Sequence, residues 1–200
     1  MTMRPAVKFC GMTRSLDIEV AERLSVDFIG FIFEPSSPRS ITLDVAQTLR
    51  PSIRRAKVVG VFTDHAIDTI AHHAATLRLD FVQLHGSPRL DILQNIKMPV
   101  IQAFRGVPDA ETLEVFLEVC PFVLIDKIDG ENHADFSAIA ALPQSIRSRL
   151  FLSGGLTADT VHNAIERIGP FALDVARGIE SSPGIKDPER MQSFLNAIAL

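Results

Sequence analysis

The 200-residue chain contains neither Tyr nor Trp, so any proton it moves must travel through Cys, His, Asp, Glu or Lys. Two such residues sit where an apolar run stops. Cys10 closes the run 7–10 and is followed by Gly11. A thiolate there could act as nucleophile or general base. The competing reading is an inert buried thiol, because Cys is among the most frequently buried residue types. Asp126 ends the run Phe-Val-Leu-Ile at 122–125. An apolar strand that carries a carboxyl to a rim can raise its pKa toward the range of a general acid. Capping of the next turn, or pairing with Lys127, is the alternative. Gln83 and His85 stand two apart in Gln-Leu-His-Gly, so strand alternation puts both on one side. Arg39, in the long loop 34–41, reads as free to clamp a carboxylate bidentately. Gly154-Gly155 and, one unit later, Arg177-Gly178 suit a phosphate: glycine lets backbone N–H groups approach an anion and Arg adds charge. Plain tight turns are the competing reading for these glycines.

Other polar clusters carry less. His65, His72 and His73 lie on or beside a helical stretch and read as solvated surface without metal-ligand spacing. Cys10 and Cys120 form no ligand pair either, and a disulfide framework is not expected. No metal site is expected. Arg50, Arg54, Arg55 and Lys57 precede a strand and read as a solvated face.

These residues need elements to hold them. Short apolar runs without alternation recur at 7–10, 28–33, 57–62, 81–84, 99–104, 122–125, 150–152 and 171–175. Strands buried on both faces of a parallel sheet have this composition. Between them lie stretches of helical period at 15–24, 64–77, 88–96, 109–119, 136–142, 159–168 and 187–198. Asp64, Asp109 and Asp159 are candidate N-caps, and Pro88 and Pro188 suit a first helical turn. Strict alternation implies crossover helices, and eight units favour a closed (β/α)8 TIM barrel over an open sheet. Residues 1–200 are therefore expected to form one compact α/β domain, below the roughly 250 residues typical of the fold. Barrel chemistry sits at the C-terminal strand ends, where Cys10, Asp126, the Gln-Leu-His-Gly stretch and both glycine loops fall.

Composition narrows the partners. Net charge is −4, which disfavours nucleic acid as the main partner, since phosphate backbones recruit basic surfaces. No apolar run approaches the ~18–20 residues of a membrane span, and 1–5 lacks the apolar middle of a secretory signal. A cytoplasmic protein is expected, acting on a phosphorylated small molecule, as monomer or homodimer. The 13 Phe and the aliphatics must pack any aromatic ligand, with Phe9 and Phe33 as candidates near the rim.

The ordered motifs resemble those of the phosphoribosylanthranilate isomerase family of tryptophan biosynthesis. The resemblance rests on Lys8-Phe9-Cys10-Gly11-Met12-Thr13, Gly30-Phe31-Ile32-Phe33 with Ser37-Pro38-Arg39-Ser40, and Val59-Gly60-Val61-Phe62. It continues through Gln83-Leu84-His85-Gly86, Leu124-Ile125-Asp126, Leu152-Ser153-Gly154-Gly155-Leu156 and Asp174-Val175-Ala176-Arg177-Gly178-Ile179-Glu180. It implies a cofactor-free Amadori rearrangement with Asp126 as general acid and Cys10 as general base. It further implies that Arg39 holds the anthranilate carboxylate and the two glycine loops hold the phosphate. The chain departs from the family pattern at 129–136, where only Gly130 remains of a glycine-rich loop. It departs again at Arg177, where a small hydroxyl residue is usual. The Arg is expected to compensate for binding lost from the 129–136 loop. Two alternatives stand beside this reading. One is another sugar-phosphate isomerase or aldolase, using Lys8 or Lys127 for Schiff-base chemistry. The other is a degraded barrel that only binds.

Overall fold

Eight parallel strands follow one another around a closed barrel: β1 (Ala6–Cys10), β2 (Phe28–Ile32), β3 (Lys57–Phe62), β4 (Phe81–Leu84), β5 (Val100–Arg105), β6 (Phe122–Asp126), β7 (Leu150–Leu152) and β8 (Ala172–Val175). The seam is sealed by β1 pairing with β8, Ala6 opposite Ala172 through Phe9 opposite Val175. The computed structural model describes residues 4–199. Positions 1–3 of the segment read for a secretory signal therefore lie outside the described residues. Among the described residues no helix is long and apolar enough to cross a membrane.

Period-two alternation divides each strand between two cores. One set, including Val7, Phe9, Ile29, Phe31, Val58, Val82, Val123 and Leu173, packs outward against the helices. The other points into the lumen. Its closed end is filled by Phe28, Ile101, Leu124 and Phe151, backed by Phe81, Phe122 and Phe171. Phe28 and Phe151 meet edge to face at 5.2 Å, and Phe122 stacks on Phe171 at 4.4 Å. Above this apolar floor the same parity brings Lys8, Cys10, Gln83, Asp126 and Asp174 toward the open end. The alternating pattern that builds the barrel thus also sorts its polar residues.

The expected helices are present with adjusted ends: α1 (Ser15–Arg23), α3 (Ile67–Leu77), α4 (Leu90–Leu93), α5 (Ala110–Val119), α6 (Phe136–Ala140), α8 (Ala158–Ile168) and α9 (Pro188–Ile198). Two further helices carry too short an apolar stripe to be read from period: α2 (Leu43–Leu49) and α7 (Gln144–Arg147). Of the three proposed caps, Asp109 does cap α5, accepting from Thr112 N at 2.7 Å. Asp64 does not, because α3 starts after Ala66. Asp159 falls inside the first turn of α8, which Thr157 and Thr160 cap reciprocally. Arg89 rather than Pro88 precedes the single turn of α4, whereas Pro188 does open α9 behind the Asp187 cap. After β8 the chain makes an unexpected hairpin, β9 (Glu180–Ser182) and β10 (Ile185–Lys186).

Both cysteines are free thiols. Cys120 lies at the C-terminus of α5, away from the strand ends, and burial pushes its thiol up to about 11. It belongs to the outer core.

Candidate active site

The open end of the barrel is a trough of two adjoining cavities, each about 370 Å³. The first is bordered by Cys10, Ile32, Glu34, Arg39, Val61 and Thr63 on one side and Gln83, His85 and Asp126 on the other. The second runs from Arg39 and Asp126 past Ser153 to Gly154, Gly155, Arg177 and Gly178. All nine residues read from the sequence as catalytic or binding candidates therefore line one continuous trough. The alternation argument for Gln83 and His85 resolves toward the lumen.

Cys10 ends β1 beneath the trough. Burial pushes its thiol above the ordinary value, while the ammoniums of Lys8 and Lys186 pull it back. Lys8, two residues earlier on the same side of β1, is fully buried and donates to both carboxylate oxygens of Asp174 at 3.0 Å. Burial alone would lower the Lys8 pKa, but Asp174 holds it above the usual lysine value. A Lys inside an apolar strand, in phase with Cys10, was a legible signal that Lys8 faces the lumen. The pairing also removes Lys8 as a Schiff-base candidate, since its amine is committed to a carboxylate. Lys127 fares no better, because its Nζ turns away to the Glu131 carbonyl at 2.5 Å.

Asp126 does not sit in the apolar pocket expected from its strand. It is the last residue of β6, its side chain is 26% exposed, and its neighbours are polar. Oδ1 accepts from Lys127 N at 2.8 Å, the turn contact of the competing reading, while Oδ2 lies 3.5 Å from His85 Nε2. Burial lowers the His85 pKa, so the imidazole is neutral at pH 7. Gln83 is buried below His85, and its Oε1 has no hydrogen-bond partner among the described residues.

Arg39 is not free, as the loop position had suggested. Its Nε and Nη2 donate to Glu180 at 2.8 and 2.7 Å. Glu34 ties two rim loops together: Thr63 and Ser36 donate to it, and the Thr63 hydroxyl is the main cause of a pKa near 2. His73 is half-buried rather than solvated, edge-on to Phe33 at 4.8 Å. Phe33 itself stacks on Phe62 and Phe9 packs on Phe194, so both have the outward parity and neither reaches the trough. The apolar residues that do border it are Ile32, Val61, Leu156, Val175 and Ala176. Among the described residues no cluster of three or more His, Cys, Asp or Glu could hold a metal ion.

At the glycine end, close packing and anion access coincide. The 129–136 loop lies directly over β7: a Cβ on Gly155, at φ +77°, would fall 2.1 Å from the Asn132 carbonyl oxygen. The tight-turn reading is therefore correct as far as it goes. The N–H groups of Gly154 and Gly155 nevertheless have no hydrogen-bond partner among the described residues. Gly155→Ala should cost about 1–3 kcal/mol of stability, because the positive φ and the clash both act. It should also raise KM for a phosphorylated substrate more than it lowers kcat. Urea unfolding and steady-state kinetics check this; a variant with wild-type stability and KM would show that the loop yields freely. Arg177 is exposed and borders both this cavity and a neighbouring one of about 490 Å³ that Glu131 and Asn132 also line. Arg177 and the altered loop thus face the same space.

The family model described as N-(5′phosphoribosyl)anthranilate (PRA) isomerase matches residues 7–197. The chain is 36% identical over 201 residues to the N-(5′-phosphoribosyl)anthranilate isomerase of Syntrophus aciditrophicus, covering 96% of this chain and 86% of that one. Among solved structures, phosphoribosyl anthranilate isomerase from Thermotoga maritima superposes with a TM-score of 0.86 at 31% identity, over 98% of this chain and 100% of the other. A phosphoribosyl anthranilate isomerase in complex with reduced 1-(o-carboxyphenylamino)-1-deoxyribulose 5-phosphate gives a TM-score of 0.83 at 32% identity, over 98% and 100% of the two chains.

Proposed function

The chain belongs to the N-(5′-phosphoribosyl)anthranilate isomerase family, and we propose that Asp126 and Cys10 are the acid and base with which it works. It is an isomerase of tryptophan biosynthesis that converts N-(5′-phosphoribosyl)anthranilate to 1-(o-carboxyphenylamino)-1-deoxyribulose 5-phosphate by an Amadori rearrangement. Asp126 gives its proton to the furanose ring oxygen, the C1–O bond breaks, and the anthranilate nitrogen lone pair forms the imine. Cys10 takes the proton from C2, and the electron pair moves to give an enolamine. The enolamine then gains a proton at C1 and loses the proton of its C2 hydroxyl, which yields the ketone. Gln83 and His85 contact the sugar, Arg39 holds the carboxylate, and Gly154, Gly155, Arg177 and Gly178 hold the phosphate. We place the enzyme in the cytoplasm as a monomer or homodimer.

One observation carries this reading. The single trough brings together a guanidinium where its two cavities join, a thiol from β1 and a carboxyl from β6, and two glycine loops with an Arg. That set of groups matches a substrate that carries a carboxylate, a sugar and a phosphate. Holding both groups against one sugar supplies the orientation on which acid–base catalysis depends.

Binding of the reduced product analogue, which cannot react, separates recognition from proton transfer. Cys10→Ala and Asp126→Asn should bind it within about threefold of wild type, whereas Arg177→Ser should bind about tenfold more weakly through loss of a charge-assisted contact. Equal loss in all three variants would mean that Cys10 and Asp126 serve binding. Unchanged affinity in Arg177→Ser would end the idea that Arg177 compensates for the altered loop.

A further inference from the structure

The groups on which the proton-transfer scheme does not draw include a buried chain of alternating charge beside it. Arg39, Glu180 and Lys186 come from the loop after β2 and from the two strands of the β9–β10 hairpin. Glu180 is 3% exposed and Lys186 is fully buried. Lys186 Nζ spends its three donors on Glu180 Oε1 at 2.8 Å, the Cys10 carbonyl at 2.6 Å and the Ala176 carbonyl at 3.2 Å. Burial lowers the Lys186 pKa from the ordinary lysine value and the Glu180 carboxylate opposes that shift, and three acceptors around one nitrogen fit an ammonium. Glu180 also accepts from Gly184 N at 3.2 Å, so the carboxylate closes its own hairpin. Burial opposes its ionisation, but the donors from Arg39 and Lys186 hold its pKa below the ordinary carboxylate range. The hairpin is itself pinned to the start of α1, where Asp17 accepts from Lys186 N at 3.2 Å and Arg14 donates to Lys186 O at 3.1 Å.

We propose that Glu180 is a positioning residue that presents Arg39 to the substrate carboxylate, and that Lys186 keeps the assembly cationic. Glu180 occupies only one edge of the guanidinium, Nε with one N–H of Nη2. The opposite edge, Nη1 with the second N–H of Nη2, has no partner among the described residues. A guanidinium can thus bridge two carboxylates, one from the protein and one from the ligand. The stem of Arg39 is fixed as well: it lies across Gly11, where a Cβ would come 2.7 Å from Arg39 Cδ. Glu180 alone would cancel the charge that attracts an anion. Lys186 restores it, leaving two cations against one anion. A preformed fork spares the entropy of ordering a long side chain on binding.

The inference rests on Arg39 being the carboxylate-binding residue, and one experiment separates the two claims. kcat and KM are measured for N-(5′-phosphoribosyl)anthranilate and for the corresponding anilide, which lacks the carboxylate, with wild type, Arg39→Met and Glu180→Gln. Arg39→Met should lose about 100-fold in kcat/KM on the carboxylated substrate and little on the anilide. Glu180→Gln should lose about tenfold, mainly through KM, on the carboxylated substrate alone. Should the single variant fail to fold, Glu180→Gln with Lys186→Met removes both buried partners and carries the same readout. An unselective Arg39→Met overturns the assignment of Arg39 itself. A selective Arg39→Met beside a wild-type Glu180→Gln, or a Glu180→Gln equally impaired on both substrates, overturns the positioning role.

Discussion

Cys10→Ala should lower kcat by roughly 10²–10⁴-fold, the usual weight of a general base, with the fold intact. Cys10 is small and fills little of the core, so the loss falls on chemistry. The environment of the thiol adds a pH signature. Burial raises the Cys10 pKa and the Lys8 ammonium, locked onto Asp174, only partly opposes it. The reactive thiolate therefore grows with pH, and its pKa lies above the ordinary thiol value. Wild-type kcat/KM should rise between about pH 7 and about pH 9 without reaching a plateau below the ordinary thiol pKa of ~8.5. The residual rate of Cys10→Ala should lose that limb. A wild-type profile already flat from about pH 6, near the ordinary imidazole pKa, would assign the base to another group.

Asp126→Asn should cost a similar ~10²–10⁴-fold in kcat. The substitution keeps the shape of the side chain and the oxygen that accepts from Lys127 N, so the turn after β6 survives. What it removes is the proton that the proposed scheme delivers to the ring oxygen. His85, 3.5 Å from the carboxyl, is the neighbour placed to take over. Its imidazole is held neutral by burial, and it should contribute far less. If Asp126→Asn kept most of its activity while His85→Asn lost it, the acid would be His85.

The barrel and the membership of the trough were legible because both follow from period two. Unbroken apolar runs announced strands buried on two faces, and the polar residues that ended them marked the rim. Partners distant in sequence were not legible. Nothing in the local sequence says that Lys8 faces Asp174, 166 positions away, or that Arg39 reaches Glu180 through a hairpin too short to show a pattern. Phe9 and Phe33 were misplaced for a reason the same rule supplies. Each lies near the rim in sequence but has the outward parity. Asp126 likewise inherited an apolar setting from its strand that the strand's last residue escapes, because the chain leaves the barrel there.

The central claim is that this trough catalyses the isomerisation with Cys10 and Asp126 as its proton carriers. The direct measurement is the decay of fluorescence of freshly generated N-(5′-phosphoribosyl)anthranilate. With no Trp or Tyr, the protein adds little background. Wild type should accelerate the decay, and Cys10→Ala and Asp126→Asn should each be slower by at least ~100-fold. A wild type no faster than buffer, or variants as fast as wild type, would contradict it.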